Sequence, residues 1–286
     1  MSVPDADQFV GAVLAWGGPR LRDLPWRRTR EEWPVLVSEV MSQQTGVDRV
    51  VPKWLLFMER FPTVGDCAAA ELGELLALWQ GLGYPRRARN LHLASVAVVA
   101  AGGFPQDLEA WLELPGVGPY TARAVMAFAQ SADVAVVDTN VARILARCEG
   151  RSLTAREAQS AADQLVPSGD GWLWNQVMMD LGATVCRARV PRCSDCPVAA
   201  ECSWRGDGGR DDPARRSAGV SRPQGRFAGS DREARGALMR RLVDGAVPIA
   251  GIHGIIDRDP RVVDRILASL VEDGLCVVEG DRATLP

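Results

Sequence analysis

From Asp7 to about Cys202, apolar residues recur at three- and four-residue spacing, and short Gly/Pro turns interrupt the runs. The pattern predicts helices over Trp33 to Thr45, Val47 to Phe61, Leu72 to Gln80, Ala88 to Ala101, Tyr120 to Ala129 and Asn140 to Arg147. No alternating strand series appears among them, so the body is expected to be mostly α. Over 205–229 the chain becomes rich in Gly, Arg, Asp and Ser, with few apolar residues, which predicts a linker that cannot fold alone. Beyond it, Asp231 to Asp244 and Pro260 to Asp273 read as amphipathic helices. The segment "CVVEGDRATL" then suits a hairpin turning at Glu279, Gly280 and Asp281. Helices followed by a hairpin predict a small C-terminal winged-helix-like module over 230–286. Duplex binding and simple packing are both open uses for it.

A length of 286 residues allows two domains and a small third. No run of eighteen apolar residues and no secretory leader pattern is present, so no membrane span and a cytoplasmic location are expected. The net charge of −3 argues mildly against a nucleic-acid partner, but distribution matters more than the sum. Basic residues gather around "PRLRDLPWRRTR" and in "GYPRRARN", each beside an aromatic residue. Such patches can neutralise phosphates or can equally be solvated helix ends.

Cys186, Cys193, Cys196 and Cys202 are separated by six, two and five residues. That spacing offers four thiolates in one tight loop, as a 4Fe–4S cluster needs, and it is uneven for a structural zinc site, which stands as the alternative. Cys67, Cys148 and Cys276 read as core. The turn Gly116, Val117 and Gly118 precedes a helix, where free N–H groups favour an anion such as phosphate, although an ordinary inter-helix turn explains it as well. Asp138 ends an apolar run just before a helix, which suits either a helix cap or a catalytic carboxylate. Glu39 lies among Val35, Leu36, Val40 and Met41, so it is either partly desolvated, with a raised pKa suited to proton donation, or on an exposed helix face. Two carboxylates in unlike surroundings are what cleavage of a glycosidic bond asks for. With two histidines in the chain, no Ser/His/Asp or Cys/His arrangement is evident.

The order helix, "LPGVG", helix, then Asp138, then the four-cysteine loop, resembles the helix–hairpin–helix DNA glycosylases, over about Arg22 to Cys202. The resemblance implies a six-helix barrel domain over 25–135 and an iron–sulfur cluster domain from 1–24 plus 136–204, with a 4Fe–4S cofactor on the four cysteines. "LPWR", "SEVMSQQT", "GLGY" and "GVGPYTA" are similar to segments of the adenine glycosylase, or MutY, branch. That branch excises adenine mispaired with 8-oxoguanine or guanine in double-stranded DNA, and a monomer associated with the nucleoid through DNA is implied. A lyase relative would carry Lys where Tyr120 stands, so a monofunctional enzyme is implied.

The same resemblance makes Glu39 the acid that protonates the adenine and Asp138 the group that stabilises the sugar cation or its adduct, assisted by Tyr120 and Asn140. Gln44, Thr45 and Tyr84 would meet the DNA around the flipped base, with Gly116, Val117 and Gly118 on the backbone. Arg22, Leu24, Trp26 and Arg27 would border the base pocket. Three features depart from the pattern: Thr139 replaces the usual Gly, Asp180 stands where Glu is common, and no Nudix-like domain is recognisable after Ser230, where His253 does not match the element that reads 8-oxoguanine. A thymine or uracil mismatch glycosylase and a non-catalytic iron–sulfur DNA-binding protein are the rival readings.

Overall fold

The structure is a computed structural model that describes residues 6–205, 211–217 and 226–286, so part of the predicted 205–229 linker lies outside the described residues. In chain order the helices are α1 (Ala6–Gly17), α2 (Glu32–Ser42), α3 (Val47–Arg60), α4 (Val64–Ala69), α5 (Leu72–Leu78), α6 (Arg86–Ala100) and α7 (Leu108–Glu113). They continue with α8 (Pro119–Phe128), α9 (Thr139–Glu149), α10 (Ala155–Asp163), α11 (Gly171–Thr184), α12 (Asp231–Val243), α13 (Ile249–Ile255) and α14 (Pro260–Glu272). Short strands β1 (Val247–Pro248), β2 (Val277–Glu279) and β3 (Arg282–Thr284) belong to the C-terminal module. No helix among the described residues is long and apolar enough to cross a membrane.

The chain divides into two compact units. One comprises Met1–Glu32, Gln106–Leu108 and Gly118–Arg222. In it, α9 packs on α10 and α11, and α1 on α11, around Phe9, Val13, Ile144, Leu145, Trp174 and Val177. The approach of α1 to α11 is close at Gly17, where a Cβ would sit 2.1 Å from a Val177 methyl. Local chemistry sets the helix ends. Asp138 caps α9, Gly150 ends it at φ 69°, and Thr154 forms a capping box with Glu157 at the start of α10. One stretch of the predicted linker is packed rather than free: Pro213–Arg216 forms a short 3-10 turn with Ala214 buried, and Asp212 pairs with Arg147 at 2.6 Å. Composition missed it because one carboxylate and one small apolar side chain do the anchoring.

The other unit comprises Trp33–Pro105, Glu109–Val117 and Pro223–Pro286. Here α4 and α5 pack on α6, and α3 on α5. Phe57 centres an aromatic cluster, with its ring 5.0 Å from Phe61 and 6.2 Å from Trp79, both edge to face. The same unit holds the winged-helix module. Its α12 packs against α13 and α14, and its sheet runs β1-β3-β2, all antiparallel, with Val278 opposite Ala283. The expected hairpin is present, turning through Gly280 at φ 59°. Strand β1 and helix α13 carry too short a pattern for the sequence to announce.

Phe57 is fully buried. Phe57→Ala is expected to cost about 3–5 kcal/mol, the range for removing a packed aromatic, read as a lowered midpoint in urea unfolding.

Candidate active site

Asp138 is held by the start of the helix it caps. Its Oδ1 accepts from the backbone N–H of Asn140 and of Val141, both at 2.8 Å, and its Oδ2 accepts from the Asn140 side-chain amide at 2.7 Å. Capping and chemistry are therefore compatible, because the same bonds that close the helix fix the carboxylate's orientation. Burial pushes the Asp138 pKa up, against the opposing pull of these donors and of Arg143. Behind it, Arg143 Nη2 donates to Asn140 Oδ1 at 2.6 Å and to the Gly182 carbonyl at 2.8 Å, while its Nε donates to the Cys186 carbonyl at 2.7 Å. A chain of bonds thus runs from the first cysteine of the loop to the carboxylate. Tyr120, half-buried on α8, and Gly118, the residue before α8, belong to the same unit.

Arg22 and Arg27 meet at Asp180 of α11. Arg22 donates from its backbone N–H at 2.9 Å and its Nε at 2.7 Å, and Arg27 donates through two nitrogens at 2.8 and 2.9 Å. Burial raises the Asp180 pKa, but Arg27 and Arg22 outweigh it and hold the carboxyl below its usual range. Leu24 and Trp26 are buried beside the Pro25–Arg28 turn. The departure noted at position 180 is thus a structural anchor: the shorter Asp reaches both arginines and orders the segment 22–27.

The four cysteines line one pocket, walled by Ile144, Leu181 and Val185. Arg147 Nη1 donates to Cys186 Sγ at 3.3 Å, and the Arg205 backbone N–H donates to Cys202 Sγ, also at 3.3 Å. Cys148, expected to be simple core, lines the same pocket. Its thiol donates to Cys202, which lowers the Cys202 pKa to about 6 and raises its own. Among the described residues, no three His, Cys, Asp or Glu side chains converge on a single-ion site.

The remaining predicted residues lie in the second unit. Glu39 is buried, as is every residue of α2 from Trp33 to Met41, so the helix has no exposed face there to carry it. Gln44 and Tyr84 both adopt left-handed backbone, at φ 56° and 50°. Arg87 orders the two loops that carry them. Its Nη1 donates to the carbonyls of Val40, Met41 and Gln43, and its Nη2 donates to Thr45 Oγ1 and to the carbonyls of Leu82 and Gly83. The guanidinium lies 5.4 Å from the Tyr84 ring and 5.5 Å from that of Trp79. Burial lowers its pKa to about 10, so it stays cationic at neutral pH. Gly116 needs its freedom: φ is 76°, and a Cβ would meet Asn90 at 2.6 Å. Gly118 has φ −99° and open space, while Val117 is buried.

The chain is 44% identical to an adenine DNA glycosylase of Mycolicibacterium smegmatis, over 92% of this chain and 90% of that protein. It is 38% identical to an adenine DNA glycosylase of Mycobacterium tuberculosis, over 96% and 92%. Residues 37–168 match the HhH-GPD superfamily of base excision DNA repair proteins. The chain belongs to the adenine DNA glycosylase branch of that superfamily. A solved thermostable thymine-DNA glycosylase has a TM-score of 0.67 to it at 29% identity, over 70% of this chain and 96% of that one. The superfamily match holds Glu39, Gln44, Thr45, Tyr84, Gly116 to Gly118, Tyr120, Asp138 and Asn140, whereas the arginine segment 22–27 and the four cysteines lie outside it.

Sequence reasoning placed Arg87 only in a basic patch, not as the buried donor it is, and missed Arg143 and Arg147. The signal for the last two was legible: two arginines four residues apart on an otherwise apolar helix face in "NVARILARCE".

A Cβ at Gly182 would sit 2.4 Å from that of Asn140. Gly182→Ala is therefore expected to shift Asn140 and slow base release by about 10²-fold, as a misplaced group does, with duplex binding largely kept. Single-turnover rates beside equilibrium binding check this.

Proposed function

We propose that this adenine glycosylase acts on double-stranded DNA, removing adenine mispaired with 8-oxoguanine or guanine by hydrolysis of the N-glycosidic bond, without strand cleavage of its own. The observation that carries the reading is the Asp138 carboxylate, held by three donors at a helix start and backed by Arg143. A fixed, partly desolvated anion of this kind lowers the energy of a positive sugar developing in front of it. Glu39, buried on α2, supplies the proton to the leaving base. Extruding the base costs a few kcal/mol, less for a mispaired adenine. Gln44 and Tyr84, on their left-handed loops, fill the space left in the stack, and the segment 22–27, ordered by Asp180, borders the extruded base. Tyr120, at the position of the lyase lysine, supports the monofunctional assignment.

The four cysteines hold a 4Fe–4S cluster in this reading. Their shared pocket, its apolar wall, and the N–H donors from Arg147 and Arg205 to the sulfurs suit a cluster of thiolate-bound irons. A bound cluster would tie the loop 186–202 together, and through the Cys186 carbonyl it would steady Arg143 and the Asp138 carboxylate. Purified protein should be brown with broad visible absorption, and Cys196→Ser should lose colour and solubility together. Colourless, active protein with stoichiometric zinc would reject the assignment.

The deciding experiment is single-turnover base release on duplexes carrying 8-oxoguanine:A, G:A and G:T, developed with and without alkali. Adenine loss that appears as strand cleavage only after alkali is expected, and Glu39→Gln should slow it by at least about 10²-fold while leaving duplex binding intact. Release of thymine from G:T would instead favour the mismatch reading, to which the likeness to a thymine-DNA glycosylase structure lends a second line.

A further inference from the structure

The loop between α5 and α6 carries Tyr84 in an unusual backbone. Gly81, Gly83 and Tyr84 have φ of 92°, 74° and 50°, and a left-handed residue with a side chain is strained by its Cβ against the following carbonyl. Such strain persists only where the surroundings over-determine it. Arg87 does this from inside the loop. From outside, the C-terminal module grips both helices that flank the loop. On the α5 side, α12 packs against the helix, and the Gly73 N–H donates to the Pro286 carbonyl at 3.0 Å. The fit there leaves no room for a side chain, since a Cβ at Gly73 would meet that oxygen at 2.9 Å and Leu285 at 3.2 Å.

On the α6 side, Asp273, at the end of α14, pairs with Arg86 and also with Arg235 of α12. Asp273 is largely buried between them. Gly274, at φ 62°, lets the chain pass the Arg89 guanidinium, where a Cβ would meet Nε at 2.6 Å. Each arginine of "GYPRRARN" has a partner within the protein: Arg86, its side chain 69% exposed, pairs with a carboxylate, Arg87 faces carbonyl oxygens, and Arg89 lies against the Gly274 turn.

We propose that the winged-helix module is an intramolecular brace, whose partner surface is the α5–α6 pair and whose role is to hold the Tyr84 loop in its inserting conformation. The role in DNA rests on the reading of function given above; the bracing itself does not. Arg86 is on this view a positioning residue, not a phosphate contact.

Hydrogen exchange on the full chain tests it without DNA. Arg86→Ala removes the α6 anchor while Asp273 keeps Arg235, and Gly73→Val pushes the module from α5. The double variant is expected to lose protection at the amide of position 73, taken relative to the intrinsic rate of the valine now there, and to exchange at least fivefold faster at the amides of Leu82, Arg87 and Arg89, with the helix Thr139–Glu149 unchanged. Arg86→Lys should restore most of the protection. A released amide at position 73 with unchanged exchange at 82–89 overturns the proposal, as does an amide at position 73 that stays protected, since docking would then not depend on these contacts.

A second readout separates bracing from phosphate binding. Arg86→Ala should weaken binding to a mispaired duplex at constant slope of log Kd against log salt, whereas a slope smaller by about 0.9 would mark a lost phosphate contact and overturn the role given to Arg86. If the wild-type protein releases no adenine, the reading of function fails while the exchange result still stands.

Discussion

A buried carbonyl oxygen left open at a helix end or in a loop must find a donor, and in this protein buried guanidinium groups supply such donors where helices meet loops. Arg87 bonds five carbonyls at once, those of Val40 and Met41 in the last turn of α2 and of Gln43, Leu82 and Gly83 in the two loops, and Arg143 bonds those of Thr139, Gly182 and Cys186. Arg147 does the same for Arg187 and Ala188 while its other face meets Asp212 and Trp204. An arginine suits this task because its planar fork presents several N–H groups in fixed directions and keeps its charge when buried. Removing one would leave several acceptors unpaired in a low-dielectric interior, which is why each of these loops depends on a single side chain.

The consequence is that the candidate site residues are oriented by neighbours rather than by their own packing. Asp138 takes its direction from the first turn of α9 and from Asn140, and Asn140 in turn from Arg143 and the tight space at Gly182. The segment 22–27 takes its shape from Asp180, whose two oxygens collect four N–H donors. Left-handed residues at Gln44 and Tyr84 are tolerated because Arg87 bonds their loops from within.

The C-terminal module adds a second kind of support. Its helices and three-stranded sheet form a winged helix of ordinary connectivity, yet the end of α14 and the last residues are used for packing against α5 and α6. A buried carboxylate shared by two arginines, one from inside the module and one from α6, couples the module's own fold to its attachment. Its partners hold the Asp273 carboxyl below the ordinary carboxylate range despite burial.

The sequence by itself determined the helical class, most helix positions, the winged-helix tail, the spacing of the cysteine loop and the Asp138 cap, because these follow from period, spacing and capping, all of which are local. Resemblance in "LPGVG", "GVGPYTA" and the cysteine spacing sufficed for the family. Tertiary structure alone decided the rest. That Glu39 is buried, that Asp180 gathers Arg22 and Arg27 across more than 150 positions, and that a piece of the supposed linker closes on Arg147 are contacts between distant segments. So is the fate of "GYPRRARN", where three similar arginines find three different partners. A charged residue's neighbours along the chain say that it can bond, but only the fold brings it the carbonyl, carboxylate or ring that it bonds to.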